Sequence, residues 1–239
     1  MIYSSLGEIM IKKILIQNSD RRITDSLKKY GISIYPVIPN TDLAAPVRCH
    51  ADCTALRIGD TLFCEVQNSI MLEEAGITSV RIKGIASPYP SEVKLNAKVF
   101  GHKILCNERF LSDEVRAFAE DNGYTIIHCN QGYAACSALK VNDRAAITDD
   151  ETVCFALSRN DVDCLYVRRG SVRLDGYDCG FIGGCSGMID DNTVVFAGNV
   201  KSHDDGEKII YFLKKHDINI INLFDGELTD FGGFVVLDE

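Results

Sequence analysis

A repeated segment constrains the fold of this chain more than any other feature of its sequence. The residues from Ala51 to Asp60, ADCTALRIGD, align without a gap on AACSALKVND, from Ala134 to Asp143, and most of the paired residues are identical or chemically similar. Related segments begin at Gly183, at Gly232 and, in a more divergent form, at Val93. Such self-similarity is typical of folds built from one repeated unit. We therefore interpret the 239 residues as one domain made of five copies of a unit.

Each copy carries the same order of predicted secondary structure. An amphipathic stretch ends at a glycine or an aspartate and is followed by a short run of β-branched residues, which predicts a helix and then a strand. This pattern occurs around Gly31, Gly76, Gly123, Asp161 and Asp217. Another short strand precedes the helix, as in TLFCEV, KILCN, RAAIT and TVVFAGN. The predicted unit is therefore strand, turn, strand, helix, strand.

The two ends of the chain share one of these units. No second strand follows the last repeat, which stops at Glu239, but KKILIQN, from Lys12 to Asn18, resembles KILCN and likewise leads into a predicted helix. An open array of repeats would need polar capping units at both ends. We therefore predict an α/β fold in which five units close into a ring, a propeller with five-fold pseudosymmetry whose last unit is completed by the N-terminus.

The glycine- and alanine-rich strand of each unit is predicted to lie nearest the axis, where small side chains allow close approach of backbones. Side chains alternate between the two faces of a strand. One predicted face is apolar and packs under the helices, with Cys53, Leu95, Cys136, Cys185 and Phe234. The other face is small or polar and lines a central channel, with Asp52, Thr54, Lys94, Asn96, Ser137 and Ser186. His50 has the parity of Asp52 and is predicted to face the same channel.

Composition narrows the range of partners. Lys and Arg number 25 against 34 Asp and Glu, a net charge of −9 without any basic run, so nucleic acid is not an expected ligand. No apolar run reaches the roughly 18 residues of a membrane-spanning helix, and the N-terminus does not resemble an export signal. We therefore expect a cytoplasmic protein that does not enter a membrane, and we expect its ten cysteines to be free thiols.

The ring of strand-strand-helix-strand units resembles the pentein superfamily, which contains agmatine and arginine deiminases, dimethylargininase and glycine amidinotransferases, and also the non-catalytic ribosome anti-association factor. The GFIGGCSG and TDFGG segments further resemble a group of bacterial pentein-like proteins of uncharacterised function. In the enzymes, a channel-facing His-x-Asp pair acts with a cysteine nucleophile that follows a Gly-Gly pair near the chain end. His50 and Asp52 match the His-x-Asp element, but the sequence after Gly232 and Gly233 contains no cysteine.

The resemblance implies a division of labour among side chains. The histidine exchanges protons, carboxylates grip a guanidinium, and a thiolate attacks its central carbon, because a planar, resonance-stabilised cation needs paired anionic contacts and a strong nucleophile. The catalytic candidates are His50, Asp52 and Cys185, although the strand parity of Cys185 predicts a buried core thiol. The binding candidates are Lys94, Asn96, Ser137, Ser186, Asp178 and Asp230, and the two serines are also alternative nucleophiles.

Structural roles compete with these assignments. His50 and Asp52 would also fit a pore lining in which Lys94 of the next unit neutralises Asp52. Asp178 and Asp230 precede Gly-Gly strands, where acids often cap turns. The cluster CHADC, from Cys49 to Cys53, alternates across the predicted strand, so its side chains are not expected to converge on one metal ion. No metal and no organic cofactor is therefore expected.

Two functions from different classes fit this sequence. The first is a protein that binds or modifies a small guanidine- or amine-bearing compound in its channel, as an amidinohydrolase-like or amidinotransferase-like protein without the usual C-terminal cysteine. The acidic balance of charge fits such a cationic ligand. The alternative is a non-catalytic scaffold that engages a protein partner through its surface, like the ribosome anti-association factor.

Overall fold

The computed structural model of the chain describes residues 13–237, which form a mixed α/β fold of small sheets, as predicted. In chain order the elements are β1 (Lys13–Ile16), α1 (Arg21–Lys28), β2 (Ser33–Pro36), α2 (Ala51–Thr54), β3 (Ala55–Ile58), β4 (Thr61–Glu65), α3 (Val66–Glu74), β5 (Val80–Ile82), β6 (Lys98–Phe100), β7 (Lys103–Cys106), α4 (Asp113–Asp121), β8 (Thr125–His128), α5 (Ala134–Ser137), β9 (Ala138–Asn142), β10 (Ala145–Thr148), α6 (Glu151–Ser158), β11 (Asp163–Tyr166), β12 (Val172–Arg173), β13 (Ser186–Asp190), β14 (Thr193–Phe196), α7 (Gly206–Lys215), β15 (Asn219–Asn222), β16 (Leu228–Thr229) and β17 (Phe234–Val236). Short 3₁₀ helices cover Ser91–Val93 and Val200–Ser202.

The three-stranded sheets share one topology. Their strand orders are β17-β1-β2, β3-β4-β5, β6-β7-β8, β9-β10-β11 and β13-β14-β15. In each sheet the middle strand pairs antiparallel with the first strand named here, which we call the inner strand, and parallel with the third. A parallel pair needs a crossover connection, which is supplied in turn by α1, α3, α4, α6 and α7. A two-stranded parallel sheet joins β12 to β16.

The two ends of the described chain pair with each other. Strand β1 is antiparallel to β17, with Ile14 opposite Val236 and Ile16 opposite Phe234. The sequence predicts that KKILIQN completes the unit that the C-terminal segment begins, and the pairing of β1 with β17 agrees with this prediction. Lys12 lies outside the described residues. One sheet is thus built from segments that are more than two hundred residues apart in the chain.

The predicted helix ends coincide with left-handed backbone. Gly123, which follows α4, has φ +69°, and Asp161 and Asp217, which follow α6 and α7, have φ 61° and 58°. Glycine adopts this region without strain, and aspartate tolerates it better than most residues. The start of α6 is also encoded locally, because the carboxylate of Asp150 accepts hydrogen bonds from the backbone N–H groups of Thr152 and Val153.

The predicted strand geometry ahead of the inner strands is wrong. Residues Ala51–Thr54 and Ala134–Ser137 form the short helices α2 and α5, and β3 and β9 begin only after them. The hydroxyl of Thr54 donates back to the carbonyl of His50 at 3.2 Å, which is a helical rather than an extended contact. The side chains of these residues therefore do not alternate between two faces, and the directions predicted for them from a strand are wrong.

Glycines allow the segments ahead of the inner strands to pack directly on one another. A Cβ atom on Gly232 would lie 2.3 Å from the Cβ of His50, and one on Gly184 would lie 2.2 Å from Oδ1 of Asp230. A Cβ on Gly183 would lie 2.5 Å from the carbonyl oxygen of Cys136. Contacts this short leave no room for a methyl group, so the Gly-Gly pairs of the repeat serve close approach.

The helices bury one apolar face against the sheets. Helix α7 packs Ile209 and Leu213 into a cluster with Val194 and Phe196 of β14, and Cys185 belongs to this cluster. No helix between residues 13 and 237 combines the length and the apolar character needed to cross a bilayer.

We expect Gly232→Ala to destabilise the fold more than Gly123→Ala. Both glycines have positive φ, +75° and +69°, so both substitutions strain the backbone, but a Cβ meets nothing within 4 Å at Gly123. The additional overlap with His50 should cost a further loss of about 1–3 kcal/mol in the free energy of unfolding. Urea unfolding of the two variants measures the difference, and equal losses would contradict the packing described here.

Candidate functional site

A cavity of about 290 Å³ lies where four segments that precede inner strands meet. We call it the His50 cavity. Its lining comes from the segments ahead of β3, β9, β13 and β17, and consists of Val47, His50, Cys53, Gln131, Tyr133, Cys136, Arg169, Leu174, Tyr177, Cys179, Phe181 and Asp230. Residues distant in the chain are therefore brought into one enclosure by the sheet arrangement.

A second cavity, of about 450 Å³, adjoins the first through the segment that contains Asp52 and Cys53. We call it the Lys98 cavity. Asp52 and Lys98 line it together with residues of inner strands, among them Leu139, Ser186 and Phe234. Because Asp52 lines this cavity while Cys53 lines the His50 cavity, helix α2 forms a partition between the two.

Asp230 is the fixed carboxylate of the His50 cavity. Its Oδ2 accepts a hydrogen bond from the backbone N–H of Phe181 and its Oδ1 accepts one from that of Gly232, both at 2.9 Å. The Nδ1 atom of His50 lies 3.8 Å from Oδ1, too far for a hydrogen bond. The side chains of His50 and Asp230 are only 3% and 2% exposed, so solvent screens electrostatic interactions weakly at this place.

Two thiols share the partition with an amide. The Nδ2 of Asn96 donates to the Sγ of Cys136 at 3.0 Å and lies 3.9 Å from that of Cys53. Its Oδ1 accepts from the backbone N–H of Ala135 at 2.7 Å, which fixes the orientation of the amide. Burial and neighbouring acidic groups raise the pKa of the Cys136 thiol. For Cys53 a hydrogen bond with Cys136 lowers the pKa, but burial and the Asp52 carboxyl outweigh it and raise the pKa.

Asp52 is a buried carboxylate without a hydrogen-bond partner at either oxygen. Burial raises the pKa of this carboxyl, and the charge of His50 opposes that rise. The cation that acts on Asp52 from the Lys98 cavity is Lys98, whose own pKa is lowered by burial and raised in part by Asp52. The prediction that Lys94 neutralises Asp52 is wrong, because Lys94 points away and its Nζ donates to the carbonyl of Lys83.

The rings of Tyr133 and Phe181 form an aromatic wall of the cavity that Asp230 also lines. The rings of Tyr133 and Phe181 are stacked with centroids 6.2 Å apart, and the guanidinium of Arg169 lies over the Phe181 ring at 4.6 Å. The hydroxyl of Tyr133 donates to the carboxylate of Glu92, which holds the ring in place. The wall thus presents ring faces, which attract cations, and already carries one guanidinium.

A further acidic group lies behind the wall. Asp149 is buried, its Oδ2 accepts from the backbone N–H of Ile182 at 3.2 Å, and its Oδ1 has no partner. Burial raises the pKa of Asp149 to about 7, although the bond from Ile182 and the charge of Arg169 act in the opposite direction. Its charge therefore changes near neutral pH, close to the residues of the His50 cavity.

The structure brings some of the predicted site residues together and separates others. His50 and Asp230 line the His50 cavity, and Asp52 and Asn96 lie in the partition. Ser137 and Ser186 are buried, with hydroxyls that donate to Ala134 and Ile182 of their own segments, and Ser186 alone of the two lines a cavity.

Cys185 and Asp178 are also among the predicted residues that line neither cavity. Cys185 is fully buried among core side chains, and its thiol donates to the carbonyl of Ile182. Asp178 is exposed on an outer groove, although its neighbours Tyr177 and Cys179 line the His50 cavity. Cys185 therefore has no open path to a ligand in either cavity.

Several lining residues were not predicted. Lys98, Arg169 and Phe181 line the cavities, and Asp149 lies beside Ile182, but none of the four was a candidate in the sequence analysis. Cys53 and Cys136 were noticed because they are equivalent in the repeat, but the assumed strand parity turned them toward the core. The equivalence itself was the useful signal, since the two equivalent thiols lie beside the same amide group, that of Asn96.

Solved structures of guanidine-related enzymes share this fold. A Cys-to-Ser variant of C. jejuni agmatine deiminase with substrate bound matches at a TM-score of 0.57 and 12% identity over 97% of this chain and 95% of that chain. The amidinotransferase SxtG from Microseira wollei matches at 0.56 and 12%, over 95% and 94%. DDAH from Pseudomonas aeruginosa in complex with citrulline matches at 0.56 and 10%, over 89% and 92%.

These neighbours are pentein-superfamily proteins, so the resemblance inferred from the sequence is confirmed at the level of fold. The profile of the family of unknown function DUF6873 matches residues 14–235, and the chain belongs to that family. No curated protein sequence matches the chain.

We expect Asp149→Asn to stabilise the protein at pH 8 and to have little effect at pH 4. The folded-state pKa is raised to about 7 from a usual value near 3.8, so the folded state favours the protonated form. Wild-type stability then falls as the pH rises from about 4 to 7, by up to about 4 kcal/mol, and the amide removes this loss.

Urea unfolding of wild type and Asp149→Asn at several pH values measures the effect as a difference between the two proteins. Asp178→Asn, which changes an exposed carboxyl, is the control and should show no such trend. A stability difference that is the same at pH 4 and pH 8 would contradict the assigned burial of an ionisable Asp149.

Proposed function

We propose that the protein binds a small guanidine- or amine-bearing compound in the His50 cavity. The observation that carries the proposal is the buried carboxylate of Asp230, which is held by two backbone N–H groups and lines a cavity with aromatic walls. A carboxylate accepts paired hydrogen bonds from a guanidinium or an ammonium group. The ring faces of Tyr133, Tyr177 and Phe181 provide a second favourable surface for such a cation.

Arg169 suggests that the bound compound also carries a negative group. Its guanidinium lines the same cavity as Asp230, over the ring of Phe181, with Nε donating to Cys179 at 3.3 Å. A singly charged cation would be attracted by Asp230 but repelled by Arg169. A compound with a cationic end and a carboxylate end satisfies both groups, so an amino acid such as arginine should bind better than its decarboxylated analogue agmatine.

The arrangement of the inner strands around the cavities supports this proposal. The inner strands β17, β3, β6, β9 and β13 contact one another in sequence, and β13 returns to β17 where Gly187 approaches the ring of Phe234. We propose that these contacts make the sheets the blades of a five-fold pseudosymmetric propeller closed by the β1–β17 pair. The two cavities would then lie at the two ends of one central channel, in a cytoplasmic protein with free thiols.

The names of the structural neighbours agree with the proposed ligand class. One neighbour is an agmatine deiminase with its substrate, another is a DDAH with citrulline, and a third is an amidinotransferase. Agmatine contains a guanidine group and citrulline a urea group of related shape. At 10–12% identity these matches support a shared fold, and the ligand class rests on Asp230 and the aromatic wall of this chain.

Chemical modification of the ligand would require a nucleophile in the cavity. Cys53 and Cys136 are thiols of the cavity lining, whereas Cys185 lies in the core. Because the pKa values of both lining thiols are raised, their thiolate forms are disfavoured until a positive charge arrives beside them. The proposal is therefore one of ligand binding, which does not depend on a reaction.

The alternative is a non-catalytic scaffold that acts through its surface. It predicts no preference for cationic compounds, and it would leave the unpartnered buried acids of the channel as a structural cost. The cavity with its fixed carboxylate favours the ligand-binding proposal.

Isothermal titration calorimetry with arginine and agmatine tests the proposal. We expect arginine to bind more tightly than agmatine, and we expect Asp230→Asn to weaken arginine binding at least about thirtyfold, the equivalent of about 2 kcal/mol. Arg169→Met should reduce the preference for arginine over agmatine. Asp178→Asn, with an exposed acid outside the cavity, is the matched control and should bind like the wild type.

Far-ultraviolet circular dichroism checks that each variant is folded. No binding of any guanidine or amine by the folded wild type, or equal binding by Asp230→Asn, would overturn the proposed function. In the first case a protein partner recovered with wild type would favour the scaffold alternative.

A further inference from the structure

Three potential metal ligands converge at the partition between the two cavities. One ligand atom each from Asp52, Cys53 and Cys136 lies within 4.8 Å of the other two. Among the described residues 13–237, no other group of three His, Cys, Asp or Glu side chains brings its ligand atoms this close together. The helical turn α2 is the reason, because it brings ligand atoms of both Asp52 and Cys53 close to the thiol of Cys136 in α5. An extended strand would have directed them to opposite faces.

The distances fit a tetrahedral ion. Zinc binds thiolate sulfur at about 2.3 Å and carboxylate oxygen at about 2.1 Å, which places ligand atoms roughly 3.5 Å apart. The three atoms therefore need to approach one another by at most about 1.3 Å from the observed limit of 4.8 Å.

Asp52 supplies an independent observation that points to a cation. Its carboxyl group is 7% exposed and neither oxygen has a hydrogen-bond partner. Burying such a group without a partner is costly, and buried carboxylates in native proteins are usually paired or bound to metal. Lys98 shares the neighbouring cavity, but it does not supply a hydrogen bond to either oxygen.

The surroundings of the sulfur atoms suit metal-bound thiolates. Asn96 donates from Nδ2 to the Sγ of Cys136, and its own carbonyl is fixed by backbone N–H groups of Ala135 and Cys136. Outer groups of this kind orient metal ligands and stabilise their charge. Lys98 adds a positive charge near a site that would carry two thiolates, one carboxylate and one divalent ion.

We propose that Asp52, Cys53 and Cys136 bind one Zn²⁺ ion, with the fourth coordination position open toward the His50 cavity. The thiols give up their protons as the Zn–S bonds form, and no oxidation or reduction takes place. Two sulfur ligands select zinc over magnesium or calcium, which prefer oxygen. This proposal departs from the sequence-based expectation of no metal, which assumed a strand at these residues. The inference goes beyond the proposed function, because Asp230 is not one of the ligands.

Metal binding by the reduced full-length chain tests the inference. The probe is Zn²⁺ alone, added to chelator-treated protein and measured by competition with a chromogenic chelator. We expect one tightly bound ion per chain, and a loss of affinity of at least about hundredfold in Cys136→Ala and at least about tenfold in Asp52→Asn. Cys185→Ala, which removes an equally buried thiol outside the partition, should retain the wild-type affinity.

Co²⁺ and thiol labelling provide readouts that do not depend on the folding of a variant. Wild type with Co²⁺ should show sulfur-to-cobalt charge-transfer absorption together with tetrahedral ligand-field bands. Zn²⁺ should also protect Cys53 and Cys136 from alkylation, read by mass spectrometry of their peptides, while labelling of partly exposed Cys49 stays unchanged. Wild type that binds no Zn²⁺, or Zn²⁺ that leaves the alkylation of both cysteines unchanged, would overturn the inference.

The two proposals fail separately. Arginine binding is measured in zinc-free protein, and Asp230→Asn is expected to bind Zn²⁺ like the wild type. Zinc binding without arginine binding would contradict the proposed function and support this inference. Arginine binding without zinc binding would support the proposed function and contradict this inference.

Discussion

The close approach of backbone segments ahead of the inner strands is the constraint on which the rest of the structure depends. The backbone N–H of Asp52 donates to the carbonyl of Gly232, and that of Gly184 donates to the carbonyl of Cys136. These contacts join segments that are distant in the chain. They are possible because glycines stand where a Cβ would overlap His50 or Asp230. The cavities and their polar residues follow from this packing.

The centre concentrates ionisable groups that the packing leaves incompletely paired. Asp52 and Asp149 each keep unpartnered oxygens although they are buried, and Asp230 is satisfied only by backbone. A fold optimised for stability alone would avoid such groups, since each costs free energy to bury. Their concentration around two adjoining cavities is a physical reason to place ligand binding there rather than on the outer surface.

Local features of the fold were predictable because their causes are local. Gly123, Asp161 and Asp217 end helices through their own backbone preferences, and the short β-branched runs after them form strands. The pairing of β1 with β17 is a long-range contact, yet it was predicted because internal repetition supplied four other examples of the missing strand. Repetition thus carried tertiary information that a single segment does not contain.

The site was predicted less well because its geometry is set by tertiary contacts. His50, Asp52 and Asp230 were found through their chemistry, but the turn at Ala51–Thr54 is stabilised by its contact with Gly232 and has no distinct sequence signal. The expectation of a strand at this turn, and at Ala134–Ser137, gave the wrong directions for Cys53 and Cys136. The helical turn also changes the direction of the Asp52 side chain, and the lysine that acts on it is Lys98 rather than Lys94.

The convergence of Cys53 and Cys136 at the centre is the claim on which the site depends, and oxidative cross-linking tests it most directly. Mild treatment of the folded, metal-free protein with diamide, followed by peptide mass spectrometry, should give a disulfide that joins these two residues across 82 intervening positions. Cys154 and Cys164, which also interact, serve as the positive control. A Cys154–Cys164 product without any Cys53–Cys136 product, or one that joins Cys53 to Cys185 instead, would contradict the account.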